Sequence, residues 1–116
     1  MTVTLHGIPN CDTMKKARTW LDDHQVAYAF HDYKKAGIDA ETLRQWCGVL
    51  GWETVLNRQG TTFRKLPDAD RNDMNEDKAI ALMVAQPSMI KRPILQSGYV
   101  LLAGFKPDTY LESGIS

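Results

Sequence analysis

Cysteine, an excess of one charge and long apolar runs are what this sequence has least of. It has 2 cysteines, and neither has another cysteine or a histidine at metal-site spacing, so we expect no bound metal. Its 14 basic and 14 acidic side chains balance, which argues against nucleic acid or an anionic membrane surface as a partner. Its apolar runs are too short to span a bilayer, and its first residues do not resemble a signal peptide. We therefore expect a cytoplasmic protein without a membrane partner.

What the sequence does contain is the pattern of one globular domain. Its 116 residues, 43% of them hydrophobic, fit a single domain over residues 1–116. Alternation predicts a strand over 3–5, apolar residues at helical spacing predict a helix over 13–24, and aromatic residues favour a second strand over 26–33. A strand, a helix and a strand within about thirty residues form a βαβ unit, whose two strands run parallel.

The rest of the chain divides into a helical stretch and a return to strands. Residues 37–88, approximately, carry helical patterns, and we interpret them as a helical insertion. Apolar residues on both sides of a turn at 96–98 predict an antiparallel hairpin from 93–95 to 99–102, followed by a short helix from Asp108. This order predicts an α/β, thioredoxin-like fold, in which a four-stranded mixed sheet carries helices, with the insertion between its βαβ and ββα halves.

The two cysteines lie in different settings. Cys11 follows the first predicted strand and precedes the first helix, where free backbone N–H groups and the helix dipole favour an anion. Thiolate is the reactive form of cysteine, and such a position can lower a thiol pKa from about 8.5 to roughly 3.5–7.5. Cys11 is therefore the candidate nucleophile, and the alternative is a small buried side chain without chemistry. Cys47 lies beside Trp46 on an apolar helical face, which favours packing in the core.

Cations follow Cys11 in the first helix. Lys15, Lys16 and Arg18 lie in turns where the helix dipole disfavours positive charge, so helix stability alone does not explain them. Lys15 comes four residues after Cys11, close enough to stabilise a thiolate or an anionic substrate, although Asp12 works partly against this. The alternative is an ordinary solvated helix face.

A basic residue before a proline is the second candidate element. Pro93 begins a predicted inner strand, which proline tolerates when its peptide bond is cis or when that end is a turn. A cis bond would bring the backbone of Arg92 toward the helix of Cys11, where its guanidinium can hold an oxyanion or a carboxylate. A surface basic pair before a turn is an equal alternative. Arg58, in a loop, is a weaker candidate because loop arginines are usually solvated.

Four segments together resemble the ArsC/Spx family, and within it the YffB branch. They are residues 5–21 (LHGIPNCDTMKKARTWL), 30–33 (FHDY), 56–66 (LNRQGTTFRKL) and 90–95 (IKRPIL), and they span almost the whole chain in order. The resemblance implies a thioredoxin-like fold with a helical insertion, and it places the family nucleophile at Cys11.

The resemblance also implies binding residues. In the glutaredoxin-linked arsenate reductases of this family, the cysteine attacks arsenate, arginines hold the oxyanion and glutathione resolves the adduct. Arg92 matches one of those arginines and a second falls near Arg58, whereas the third position holds Lys106, which keeps the charge but loses the bidentate fork. The candidate residues for binding substrate or glutathione are Asn10, Lys15, Arg58, Arg92, Pro93 and Lys106.

Three functions follow from these residues and the resemblance. The first is a glutathione-dependent thiol-disulfide oxidoreductase, in which Cys11 attacks and glutathione, the expected co-substrate, supplies the second sulfur. The second is an arsenate reductase linked to glutathione and glutaredoxin. The third is a non-enzymatic regulator of the Spx type, although Met14 stands where Spx-type members have the second cysteine of a CxxC switch. We expect no bound cofactor, glutaredoxin as a candidate partner, and a monomer, because no large exposed apolar patch is predicted.

Overall fold

The computed structural model describes residues 2–98 and 100–115 of the chain. These residues form two compact units. The first consists of the two ends of the chain, up to Ala36 and from Arg92 onward, and the second consists of Gly37–Lys91. None of the described helices is long and apolar enough to cross a membrane.

The first unit is built on a four-stranded sheet in the order β2-β1-β3-β4. Strands β1 (Val3–Gly7) and β2 (Tyr28–Asp32) run parallel, and helix α1 (Asp12–Asp23) connects them, which confirms the predicted βαβ unit. Strand β3 (Ile94–Ser97) runs antiparallel both to β1 and to β4 (Val100–Ala103). The predicted α/β, thioredoxin-like arrangement with a mixed four-stranded sheet is therefore confirmed.

The second strand is shorter than predicted at both ends. The prediction covers residues 26–33, but β2 runs from Tyr28 to Asp32, and helix α2 (Tyr33–Ala36) follows directly. The Asp32 carboxylate accepts the backbone N–H of Lys34 at 2.8 Å, so it satisfies one of the donors that a helix start leaves without a partner. The Asp32 cap thus marks the end of β2, although the next residue, Tyr33, continues the aromatic pattern of the strand.

The hairpin of β3 and β4 is confirmed with a tighter turn than predicted. Strand β3 extends through Gln96 and Ser97, and Ser97 pairs with Val100. Gly98 in the turn has φ 57°, a left-handed conformation that glycine adopts at little steric cost. Tyr99, predicted as the first residue of the second hairpin strand, lies outside the described residues.

The core of the first unit lies between the sheet and α1. Met14, Ala17 and Leu21 recur at helical spacing and are fully buried. The same cluster contains Val3, Leu5, Leu95 and Tyr110, the last from helix α8 (Pro107–Glu112). Burying a side chain such as leucine or methionine contributes roughly 1.5–3 kcal/mol. This packing fixes α1, and with it Cys11, against the sheet.

The second unit is helical throughout its regular elements. Its helices are α3 (Ala40–Leu50), α4 (Trp52–Val55), α5 (Thr61–Arg64), α6 (Asp68–Arg71) and α7 (Glu76–Ala85), and a 3-10 turn (Pro87–Met89) follows. Asp39 caps α3, because its carboxylate accepts the backbone N–H of Thr42 at 2.7 Å. The sequence pattern does not predict α5 and α6, because four residues are too few to show a helical period.

Candidate functional site

Cys11 occupies the N-cap position of α1. Its backbone is extended, with φ −126° and ψ 132°, and its carbonyl accepts the N–H of Lys15 at 3.0 Å. Its side chain is a free thiol, partly buried, and makes no capping hydrogen bond. The first amides of a helix lack acceptors within the helix, so they are available to an anion at this position.

Gly7 allows the end of β1 to approach α1 closely. A Cβ at Gly7 would overlap the Sδ and Cε atoms of Met14, which is fully buried. Ile8 is buried as well, whereas Asn10, directly before Cys11, is exposed. Met14 therefore packs in the core, at the position where Spx-type members carry a cysteine. Sequence reasoning missed the role of Gly7 because it depends on a contact between two elements.

The cations of α1 divide into two kinds. Lys15 and Lys16 are exposed. Arg18 instead donates from Nε to the Tyr28 hydroxyl at 3.1 Å, and its guanidinium lies over the Phe30 ring, 5.0 Å from the centroid. Arg18 therefore packs α1 onto β2, a tertiary role that agrees with the expectation that helix stability alone does not explain it.

Arg92 and Pro93 lie at the end of the sheet where the loop to Cys11 begins. Their peptide bond is cis, which agrees with one of the two predicted alternatives, and Pro93 is buried. His6 of β1 pairs with Ile94 of β3. Because the two strands are antiparallel, the start of β3 lies beside the end of β1. The topology thus brings Arg92 to the end of the sheet from which Cys11 emerges.

The half-buried Arg92 side chain also has a buried neighbour. Tyr33, 1% exposed, has a hydroxyl without a hydrogen-bond partner among the described residues. Burial raises the pKa of Tyr33, and the positive charge of Arg92 acts in the opposite direction. The guanidinium therefore lies close enough to this phenol to influence it, which disfavours the alternative of a solvated surface pair.

Lys106 belongs to the same end of the sheet. Strand β4 ends at Ala103, which pairs with Ile94 at the start of β3. The next residue, Gly104, donates its N–H to the carbonyl of Pro93 at 2.8 Å. Lys106 follows two residues later as the exposed N-cap of α8.

Arg58 is the predicted site residue that belongs to the second unit. It is exposed, and its guanidinium lies over the Trp52 ring, 5.6 Å from the centroid. The N–H of the preceding Asn57 bonds to the carbonyl of Met89 at 2.7 Å. The remaining candidates share the first unit: Asn10, Cys11, Lys15, Arg92, Pro93 and Lys106.

Two histidines near this end of the sheet were missed by sequence reasoning. His6 is 6% exposed, its Nδ1–H donates to the carbonyl of Ile94 at 2.9 Å, and its ring centroid is 5.1 Å from that of His31. Burial lowers the pKa of His6, the hydrogen bond to Ile94 opposes this, and His31 adds to the lowering. The parallel register pairs His6 with His31, so aligning the two strands of the predicted βαβ unit would have revealed the contact.

The arrangement suits nucleophilic chemistry on a group that is electron-poor or anionic. A thiol at a helix N-terminus, two lysines in the following turn and an arginine at the same end of the sheet can stabilise a thiolate and hold an anion. Within residues 2–98 and 100–115, no three histidine, cysteine, aspartate or glutamate side chains group as metal ligands.

Comparison with known proteins agrees with the sequence resemblance. The model of the ArsC family matches residues 6–113. Among solved structures, the chain is similar to a protein named YFFB, with 65% identity and a TM-score of 0.93 over 95% of this chain and 96% of that one. It is also similar to an arsenate reductase (ArsC) related protein from Brucella melitensis, with 56% identity and a TM-score of 0.78 over 97% of this chain and 93% of that one.

Two curated proteins are similar over most of their length. An uncharacterized protein from Haemophilus influenzae is 37% identical over 108 residues, which cover 93% of this chain and 95% of that protein. The global transcriptional regulator Spx of Streptococcus mutans is 29% identical over 108 residues, which cover 91% of this chain and 78% of that protein. The predicted resemblance to the ArsC/Spx family is thus confirmed.

Proposed function

The chain belongs to the ArsC family, and from that premise we propose that it is a glutathione-dependent thiol-disulfide oxidoreductase with Cys11 as its nucleophile. The observation that carries the proposal is the setting of Cys11, a free and partly accessible thiol at the N-cap of a twelve-residue helix. An anion at this position gains from the first-turn amides and from the helix dipole, which suits a nucleophile that attacks as the thiolate.

The proposed reaction passes through two mixed disulfides on Cys11. The Cys11 thiolate attacks one sulfur of a substrate disulfide, forms a mixed disulfide with it and expels the other sulfur as a thiolate. A glutathione thiolate then attacks the Cys11 sulfur and releases the second substrate thiolate. A second glutathione attacks the glutathione sulfur and restores Cys11, so one disulfide is reduced, two glutathione molecules become one glutathione disulfide, and water protonates the released thiolates.

Glutathione supplies the sulfur that the chain lacks next to Cys11. Met14, which occupies the position of a second CxxC cysteine, has no thiol and is fully buried. Glutathione carries two carboxylates, and Lys15, Arg92 and Lys106 are cations at the Cys11 end of the first unit. We assign these three side chains to the carboxylates, with Asn10 and the backbone at Pro93 beside the reacting sulfurs.

The proposal is tested by reduction of bis(2-hydroxyethyl) disulfide with glutathione, glutathione reductase and NADPH. We expect turnover by the unmodified protein and by Cys47→Ser, and only the uncatalysed background with Cys11→Ser. Cys47→Ser is the matched control because it makes the same substitution in the other helical cysteine. Retention of glutathione-dependent turnover by Cys11→Ser would refute the assignment.

Arsenate reduction is the second candidate, and the position of Arg92 at the end of the sheet from which Cys11 emerges is the observation that favours it. A guanidinium holds an oxyanion in two parallel hydrogen bonds, and Arg92 matches a family arginine. Lys106 weakens this candidate because a lysine replaces the bidentate fork of another family arginine. The test is NADPH oxidation that depends on arsenate in the presence of glutathione, glutaredoxin and glutathione reductase; a rate equal to the background removes this candidate.

A further inference from the structure

An open groove of about 350 Å³ runs along α1 in the first unit. It is lined by Lys15, Lys16, Thr19, Trp20, Asp23 and Phe105. None of the reaction steps above uses Thr19, Trp20, Asp23 or Phe105. Of the lining residues, the proposed chemistry uses only Lys15, at the end of the groove nearest Cys11 in the sequence.

The groove begins one helical turn from Cys11. Lys15, Thr19 and Asp23 follow one another at intervals of four residues, so they form one row along α1. Lys15 comes four residues after Cys11, the N-cap of α1, so the row begins about one helical turn from the residue that carries the nucleophile. A molecule attached to the Cys11 sulfur can thus extend along the row.

The walls of the groove are aromatic and held in place. Trp20 and Phe105 are both partly exposed. Each also contacts the buried Tyr110 ring edge-on, with centroid distances of 5.4 Å for Trp20 and 4.9 Å for Phe105. His24 stacks on the Trp20 ring at a centroid distance of 3.8 Å, which also holds that ring in place. Fixed, partly exposed aromatic side chains bind apolar groups at low entropic cost. The middle of the groove therefore fits an apolar side chain.

The two ends of the groove carry opposite charges. Lys15 and Lys16 lie at the end near Cys11, and Asp23 lies at the far end. Eight residues of helix separate Lys15 from Asp23, which corresponds to about 12 Å along the axis. An extended peptide covers that length with about four residues, at roughly 3.3 Å per residue.

We infer that this groove binds the peptide segment next to the reacting cysteine of a protein disulfide substrate. The segment is extended, carries an acidic residue close to the cysteine, an apolar residue in the middle and a basic residue at the far end. The inference rests on the proposed function, and it adds the substrate class: a protein disulfide rather than only a small one. Cys11 attacks the sulfur of that cysteine and expels its disulfide partner as a thiolate, and the two glutathione steps then follow.

Two synthetic peptides test the inference. Both carry a cysteine disulfide-bonded to 2-mercaptoethanol and a central phenylalanine, and they differ only in whether glutamate lies near the cysteine and lysine far from it, or the reverse. We expect the peptide with glutamate near the cysteine to have a KM about tenfold lower than the reversed one. Lys16→Glu combined with Asp23→Lys should reverse that preference.

Filling the groove provides a test that does not disturb the core. Thr19 is exposed, so Thr19→Trp adds bulk to the groove without removing a buried contact. We expect a rise in the KM for the peptide of about tenfold, with an unchanged rate for bis(2-hydroxyethyl) disulfide. Leu111→Ala is the control, because Leu111 is an apolar side chain that is 59% exposed and does not line the groove.

Each contrary result has a distinct meaning. Equal KM values for the two peptides, or an unchanged peptide KM in Thr19→Trp, would overturn the inference while leaving the proposed function intact. A rise in the KM for glutathione instead of the peptide in Thr19→Trp would overturn it too, because the groove would then belong to glutathione. If the unmodified protein reduced neither the peptides nor the small disulfide, the proposed function itself would fail.

Discussion

Both cysteines of the chain are associated with helices, but Cys11 precedes the first turn of α1 and Cys47 lies in the last turn of α3. Amides without acceptors gather at the first position, whereas carbonyls without donors gather at the second. The helix dipole therefore favours an anion at Cys11 and disfavours one at Cys47. The two residues are chemically identical, so their positions on the helices decide which one can react.

Burial adds to the contrast. Cys47 is 4% exposed, and burial raises the pKa of its thiol; Glu76 acts in the same direction, and Arg44 opposes them. Arg44 is itself bound to the carboxylates of Glu76 at 2.9 Å and Asp77 at 3.0 Å. The two carboxylates therefore largely compensate the positive charge of Arg44 beside Cys47. The burial of Cys47 confirms its predicted role in packing.

Replacing Cys11 by serine should remove activity, and replacing Cys47 by serine should lower stability. This difference is the largest effect that we expect. Cys11→Ser should abolish turnover, and it should not lower stability, because serine is a favourable N-cap residue. Cys47→Ser should keep turnover but lose about 1–3 kcal/mol of stability, because it buries a hydroxyl. Urea unfolding and the disulfide assay measure both; equal stability losses in the two variants would contradict the contrast.

Gly7, four residues before Cys11, and Gly48, directly after Cys47, offer a second comparison. Gly7→Ala should cost about 1–3 kcal/mol, because its Cβ would overlap the buried Met14 side chain. Gly48→Ala, directly after Cys47, should gain about 0.5–1 kcal/mol, because it lies within α3 and no atom lies within 4 Å of the added Cβ. Thermal unfolding of both variants checks the signs, and a neutral Gly7→Ala would show that Met14 has room to move.

Arg92→Lys tests whether the site of Cys11 needs a planar cation. Lysine keeps the charge but cannot bind a carboxylate with two parallel hydrogen bonds. We therefore expect the KM for glutathione to rise about tenfold, equivalent to about 1.4 kcal/mol, with a smaller change in kcat. Arg44→Lys is the control, because it makes the same exchange beside Cys47. An unchanged KM for glutathione in Arg92→Lys would remove Arg92 from the binding residues.

The smallest expected effect is a dependence of stability on pH in the unit that carries Cys11. Because the pKa of His6 is lowered below its ordinary 6.5, the unfolded chain takes up a proton at this residue before the folded protein does. Stability is therefore complete above about pH 6.5 and falls as the pH drops below it. His6→Asn should reduce the loss between pH 7.5 and 5.5, measured by urea unfolding against the unmodified protein. Equal losses in the two proteins would exclude His6 as the cause.

Local patterns were enough to predict the elements that position Cys11. The change from alternating to helical spacing indicated the junction of β1 and α1, and the apolar face of α3 indicated that Cys47 is buried. Contacts between distant residues were not predictable in the same way. The packing of Gly7 on Met14 and the phenol of Tyr33 near Arg92 depend on how separate elements meet, and the pattern of one element does not encode that.

Alkylation of the two cysteines in the folded protein tests the central claim most directly. Iodoacetamide labelling at pH 7, followed by mass spectrometry, gives a rate for each thiol before and after unfolding in urea. The account predicts that Cys11, partly exposed at the N-cap of α1, reacts in the folded protein, while the buried Cys47 reacts only after unfolding. A Cys11 rate in the folded protein as slow as that of Cys47 would contradict it.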